Sequence, residues 1–140
     1  MKYLKYFENI DPYEEEWEEE ESYSDFERYL LNQYPDENEW SEIKELNCSH
    51  NNLTSLKGIE NLSNLKLLNC SYSNLISLEG IENLTNLERL YCHHNNLTSL
   101  EGIENLSNLK YLSCWGNNFT REYKQYLINY CKENNIKSYI

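Results

Sequence analysis

A 22-residue period, repeated without slippage, constrains this chain more than any other feature. Three blocks read IKELNCSHNNLTSLKGIENLSN (43–64), LKLLNCSYSNLISLEGIENLTN (65–86) and LERLYCHHNNLTSLEGIENLSN (87–108), and a shortened fourth, LKYLSCWGNNF, covers 109–119. Apolar residues recur at seven places per block, as in Leu87, Leu90, Cys92, Leu97, Leu100, Ile103 and Leu106. A unit this short cannot bury seven apolar side chains alone, so successive units must stack and share one core. Each block predicts one short strand, roughly 110–115 in the last copy, then a turn and a tight return segment. Stacked strands would form a parallel sheet with rungs about 4.8 Å apart. Asn51, Asn95 and Asn117 stand at the ninth place, where an amide can satisfy backbone groups as the strand bends away. Ser73 takes that place in the second block and is shorter, which predicts a weaker rung there. Gly58, Gly80 and Gly102 are expected at positive φ or at close backbone approach.

The blocks resemble the leucine-rich repeat pattern L-x-x-L-x-L-x-x-N-x-L, with cysteine at the third apolar place. Their length and the GIENL segment are similar to the short class of bacterial internalins and phosphatase regulators. The cysteine and the Asn/Tyr-rich bias resemble leucine-rich repeat proteins of amoeba-infecting giant viruses. The resemblance covers residues 43–119. It implies an α/β solenoid with a short parallel sheet and capped ends, a non-enzymatic role in binding a protein, and, through the viral kinship, contact with a host or virion protein.

Both ends of such a stack need covering. After the repeats, residues 120–140 predict a helical cap: Thr120 can be the N-cap, and Tyr123, Tyr126, Leu127, Tyr130 and Cys131 form one stripe at helical spacing. Asn134 or Asn135 would stop the helix. Before the repeats, residues 1–42 form an acidic segment with a helical cap. Ser24-Asp25-Phe26-Glu27 is a capping box opening a helix to about Gln33, and Pro35 ends it. Trp40 lies 22 residues before Leu62 and is expected to cover the first coil. Asp11-Pro12-Tyr13-Glu14 is a second helix start, whereas EEEWEEEE is too like-charged for a firm helix.

The net charge of −12 sits wholly in residues 1–42, which hold 15 of the 24 acids and only Lys2, Lys5 and Arg28. Such a field disfavours nucleic acid and anionic membrane surfaces, so neither is expected as a partner, and it would favour a basic protein. No stretch approaches the roughly 20 apolar residues of a membrane span, and the first residues lack a signal-peptide pattern. The expectation is a cytoplasmic chain (host cytoplasm or virion, if viral) with reduced thiols.

The pair His93-His94 after Cys92 invites a metal or catalytic reading, and the period answers it. Cys48, Cys70, Cys92 and Cys114 occupy one inward column, as small buried hydrophobes. Their parallel Cβ vectors disfavour bridging. His93 alternates with Cys92 and points to the other face, so the two make a poor nucleophile–base pair. His50 and His94 are two rungs apart, roughly 10 Å, too far to share a metal. No phosphate loop or other catalytic motif occurs. The reading is therefore no catalytic residue, no metal, no cofactor and no small-molecule substrate.

Outward positions form three columns on the expected concave face: Glu45, Leu67, Arg89, Tyr111; Asn47, Asn69, Tyr91, Ser113; and Ser49, Ser71, His93, Trp115. They vary while the frame stays fixed, as a recognition surface on a repeated scaffold would. Leu67, Arg89, Tyr91, His93, Tyr111 and Trp115, with Tyr72 at the edge, are the candidate protein-binding residues, since Trp, Tyr and Arg dominate binding hot spots. The partner itself is not named by the sequence. Two alternatives stand beside this reading: Trp115 and Tyr111 merely cover the last coil, or the acidic N-terminal segment engages a basic protein while the repeats act as a scaffold.

Overall fold

The computed structural model describes residues 22–140, together with the backbone of 2–5 and 16–19. Those two short stretches are strands, β1 (Lys2–Lys5) and β2 (Glu16–Glu19), paired antiparallel with Lys2 opposite Glu19. The helix start expected at Asp11-Pro12 lies outside the described residues. The acid-rich stretch around Trp17, read as unable to hold a firm helix, contributes a strand instead.

Helix α1 (Asp25–Gln33) starts at the predicted capping box. The Ser24 hydroxyl accepts from Glu27 N at 3.1 Å, and the Glu27 carboxylate accepts from Ser24 N at 2.7 Å. The same hydroxyl donates to Lys57 O at 2.7 Å and so pins the helix start to the first coil. A 3₁₀ segment, Glu37–Glu42, carries the buried Trp40, whose indole N–H donates to Tyr34 O. Phe26, Leu30 and Trp40 join the leucine core and close its first end.

The coils follow with strands β3 (Glu45–Asn47), β4 (Leu67–Asn69), β5 (Arg89–Tyr91) and β6 (Tyr111–Ser113). Each pairs parallel with the next in the register of the repeat, Glu45 with Leu67, Leu67 with Arg89 and Arg89 with Tyr111. Three-residue 3₁₀ turns, Ile59–Asn61, Ile81–Asn83 and Ile103–Asn105, form the return side. Each follows a glycine with φ near +100°: 105° at Gly58, 97° at Gly80 and 93° at Gly102. A Cβ on Gly80 would lie 2.8 Å from the Ile59 side chain of the coil before, so the position also permits tight stacking.

Asparagines tie coil to coil. Asn95 Nδ2 donates to Cys70 O of the previous coil and Cys92 O of its own, while its Oδ1 accepts from Leu75 N; Asn117 repeats the set on Cys92 O, Cys114 O and Leu97 N. Ser73 cannot reach so far, and its buried hydroxyl has no hydrogen-bond partner. A second ladder, not foreseen from the pattern, runs along the return side: Asn64, Asn86 and Asn108 donate to Ser41 O, Ser63 O and Thr85 O of the preceding coil.

The far end departs from expectation. Helix α2 (Arg121–Glu133) begins at Thr120 as predicted and buries Leu127 and Cys131. Its tyrosines, however, dock by their hydroxyls rather than as a plain apolar stripe. Tyr123 Oη accepts from Leu100 N, Tyr126 donates to the Glu104 carboxylate, and Tyr126 itself is 42% exposed. Residues 120–140 are also more than a helical cap. Asn135 takes the left-handed conformation at φ 56°, Ile136 N closes back onto Cys131 O, and the chain turns into β7 (Lys137–Tyr139), a fifth parallel strand beside β6.

Replacing Ser73 with Asn should complete the missing rung and raise stability by about 1 kcal/mol, whereas Asn95→Ala should cost about 2–4 kcal/mol because buried backbone groups lose partners. Urea unfolding midpoints of the two variants against wild type check both signs; a Ser73→Asn variant no more stable than wild type would refute the account of the ladder.

Candidate functional site

Along each strand the pleat sends alternate side chains to opposite faces. Leu46, Leu68, Leu90 and Leu112 point inward with Cys48, Cys70, Cys92 and Cys114, all buried. The intervening residues point outward. The strand register therefore aligns Glu45, Leu67, Arg89, Tyr111 and Lys137 in one column, and Asn69, Tyr91, Ser113 and Tyr139 in the next. Lys137 and Tyr139 belong to this face and were not foreseen. Their signal was the alternation Ile136-Lys137-Ser138-Tyr139-Ile140 after a pair of turn-forming asparagines.

Just beyond each strand the chain bends through a left-handed residue: His50 at φ 60°, Tyr72 at 52°, His94 at 52° and Gly116 at 70°. For a bulky L-residue this conformation costs about 1–2 kcal/mol. Two features hold it. Backbone bonds cross the rungs, from His50 N to Ser71 O, Tyr72 N to His93 O and His94 N to Trp115 O. The rings themselves also stack in register. Tyr72 lies between His50 and His94, at centroid distances of 4.5 and 4.4 Å, with interplanar angles of 9° and 22°. Such pairs contribute about 0.5–1.5 kcal/mol each. On the fourth rung glycine replaces the ring. A Cβ there would stand 2.9 Å from the His94 ring, and its absence lets the Trp115 indole meet His94 edge-on at 4.2 Å.

His93 completes the cluster. Its ring stacks flat against Trp115 (5.4 Å, 4°), meets Tyr72 edge-on, and places Nδ1 3.1 Å from the Ser113 hydroxyl. All three histidines of the chain thus gather around Tyr72 and Trp115. His93 is half-buried, and burial first, then the neighbouring His94 and His50, push its pKa down. Ser71 and Ser113 are buried although they lie in outward columns, with the Ser71 hydroxyl on Asn69 Oδ1 and that of Ser113 on His93. A second row, Tyr91–Tyr111–Tyr139, runs across β5, β6 and β7 with centroids 5.0 and 5.8 Å apart. Trp115 and Tyr139 remain 45% and 49% exposed. Trp115 does not cover the last coil; β7 and α2 do that.

The cysteines are the inert side of the same strands. All five are free and buried. Burial pushes Cys48 and Cys114 up to about 12, and holds Cys70 and Cys92 well above the usual thiol range. Cys92 and His93 lie on opposite faces, as the alternation requires. Among the described residues no group of His, Cys, Asp and Glu is placed to hold a metal ion, and no helix is long and apolar enough to cross a membrane. A groove of about 650 Å³ on the return side is lined by Glu79, Glu82, Glu101 and Glu104, away from the aromatic cluster.

The family described as leucine-rich repeats (2 copies) matches residues 85–123. Among solved structures, a leucine-rich repeat protein of Leptospira interrogans superposes with a TM-score of 0.65 at 31% identity, over 71% of this chain and 26% of that one. The fold is that of a leucine-rich repeat solenoid. An internalin of Listeria monocytogenes is similar at a TM-score of 0.60 and 28% identity, over 66% of this chain and 29% of its own. The solenoid thus spans under a third of either of these relatives. No curated protein matches the sequence. The repeat fold is one commonly used for protein–protein interaction.

Two measurements follow. Ellman's reagent at pH 8 should leave the column cysteines unmodified in the native solenoid and titrate all five only in denaturant; rapid native labelling of Cys92 would contradict its burial. For His93 the folded pKa lies below the unfolded 6.5, so the unfolded chain binds more protons between the two values. Its contribution to stability is complete above the unfolded pKa and is lost as the pH falls through the folded one. A urea midpoint measured from pH 8 to pH 5 should fall on acidification, and His93→Gln should fall less steeply.

Proposed function

We propose that this protein is a non-enzymatic binding module that engages a protein partner through its concave sheet face. The observation that carries the reading is the run of rings on fixed rungs: Tyr72, Tyr91, His93, Tyr111 and Trp115, flanked by Leu67 and Arg89. A partner meeting this face would find aromatic surface already ordered by stacking, so little side-chain entropy is lost on binding. Trp, Tyr and Arg are also the types that dominate binding energy at interfaces. The residues vary from rung to rung while the leucine frame is constant, which separates recognition from folding. The Cys/Asn-rich 22-residue coil is of the short class, and its resemblance to giant-virus repeats points to a cytoplasmic host or virion protein as the partner.

Trp115→Ala and Tyr91→Ala test the face directly. Each should reduce capture of the native partner at least tenfold, with the circular dichroism preserved and the stability lowered only by the stacking lost, about 0.5–1.5 kcal/mol per ring pair. Undiminished capture by both folded variants would overturn the reading. Loss of capture on removing residues 1–22 instead would move the binding role to the acidic segment.

A further inference from the structure

Strand β7 changes the chemistry of the sheet face. It brings Lys137 beside Tyr111 and Tyr139 beside Ser113, so that β5–β7, with Lys110 just before β6, present three cations and three tyrosines together. The two columns nearest the strand starts carry Lys44, Lys66, Arg89, Lys110 and Lys137 against only Glu45 and Glu88. Residues 43–140 balance nine basic residues against nine acidic ones, so five cations against two acids here are a local excess. Glu88 displays what a carboxylate meets there. Lys110 Nζ lies 3.2 Å from its Oε2, and the hydrogen bond and charge of Lys110, with the charges of Lys66 and Arg89, hold the carboxyl below the usual range. Two internal acids, Glu45 and Glu88, are fewer than the five cations of these columns. Next to them Lys137 Nζ sits 5.9 Å over the Tyr139 ring, and Tyr91, Tyr111 and Tyr139 lie ring to ring.

Resting on the concave-face reading above, we propose that β5–β7 dock an acidic peptide segment of the partner, its carboxylates meeting Arg89, Lys110 and Lys137 and its apolar groups lying on the tyrosine row. Arg89 offers a planar fork for a carboxylate, and the lysines add point charges one or two rungs, about 5–10 Å, away. That spread matches alternate residues of an extended peptide, whose side chains on one face recur about every 7 Å. A nucleic-acid strand is the poorer fit. Its evenly spaced phosphates need a continuous basic track, which Glu45 and Glu88 interrupt here, whereas a peptide can place its few carboxylates opposite the cations alone.

The test uses the full chain and fluorescein-labelled dodecapeptides of alternating residues, Glu-Tyr, Gln-Tyr and Lys-Tyr, with a single-stranded dT12 oligonucleotide as the fourth probe, read by anisotropy at low salt. The Glu-Tyr peptide should bind at least tenfold tighter than the other three. Binding should weaken with added salt, drop at least tenfold in the Arg89→Glu/Lys137→Glu double variant, and tighten in Glu88→Gln, which frees Lys110. All three positions are on the surface, and circular dichroism verifies the fold. Equal binding of the Glu-Tyr and Gln-Tyr peptides, tighter binding of the Lys-Tyr peptide or of dT12, or an unaffected double variant would each overturn the proposal. If the acidic peptide fails while Trp115→Ala still loses the native partner, the acidic chemistry falls and the concave face stands; if Trp115→Ala keeps its partner, the face itself falls.

Discussion

Everything on the surface of this solenoid depends on where one buried amide puts its hydrogen bonds. Asn95 spans two coils, bonding Cys70 O, Cys92 O and Leu75 N at once, and Asn117 does the same one rung later. These are backbone groups at the bend of each strand, where the sheet ladder ends and water is excluded. Leaving them unpaired would cost about 1–3 kcal/mol apiece. Satisfying them from the neighbouring coil fixes the rung spacing and the register together. The return-side asparagines repeat the arrangement at the opposite corner through Ser41, Ser63 and Thr85 carbonyls. Two ladders on opposite corners leave a coil little freedom to slide or tilt, so outward side chains on successive rungs line up in straight columns.

The ends are closed by different means. The first coil presents apolar surface, and Phe26, Leu30 and Trp40 cover it as hydrophobes, with the Ser24 hydroxyl and Tyr29 bonding Lys57 O and Asn47 O at the rim. The strand β3 stays at the edge of the sheet there, whereas at the last coil the strand edge is also paired. Helix α2 covers the leucines with Leu127 and Cys131, and its tyrosine hydroxyls meet backbone and carboxylate groups of the third coil. The strand edge of β6 is met in kind by β7. A parallel partner needs a crossover connection, and α2 with its left-handed exit at Asn135 supplies one.

The parts legible in the sequence were those governed by a period or by local bonding. The leucine and cysteine columns, the strand positions, the capping box at Ser24 and the N-cap at Thr120 all follow from spacing alone. The bonding power of the ninth-place asparagine, and the weakness of Ser73, follow from side-chain length. What stayed hidden needed the third dimension. β7 is three residues long and lies outside the period, and an alternation as short as Ile136-Lys137-Ser138-Tyr139-Ile140 becomes a strand only through its pairing with β6. The left-handed column was visible as Gly116, yet His50, Tyr72 and His94 at the same place disguised it, because such residues rarely adopt positive φ. Tyr126 fitted the helical stripe by spacing, but its hydroxyl prefers the Glu104 carboxylate to the core.

That disguised column ties stability to the proposed binding face. A designer seeking stability would place glycine or asparagine at all four left-handed positions. The chain does so only at Gly116 and elsewhere accepts the strain of an aromatic ring. Stacking offsets part of the strain, but each ring depends on its neighbours. Tyr72 without His50 or His94 would lose a face, and Trp115 without Gly116 would lose its contact with His94. The rings therefore form one surface whose order comes from the asparagine-set rung spacing beneath it. A slip of a single coil would not merely move one residue; it would break the stack. Strain of this kind persists only where the surrounding structure over-determines it, and it gathers where function needs ordered side chains. On this chain it gathers beside the face proposed to meet a partner.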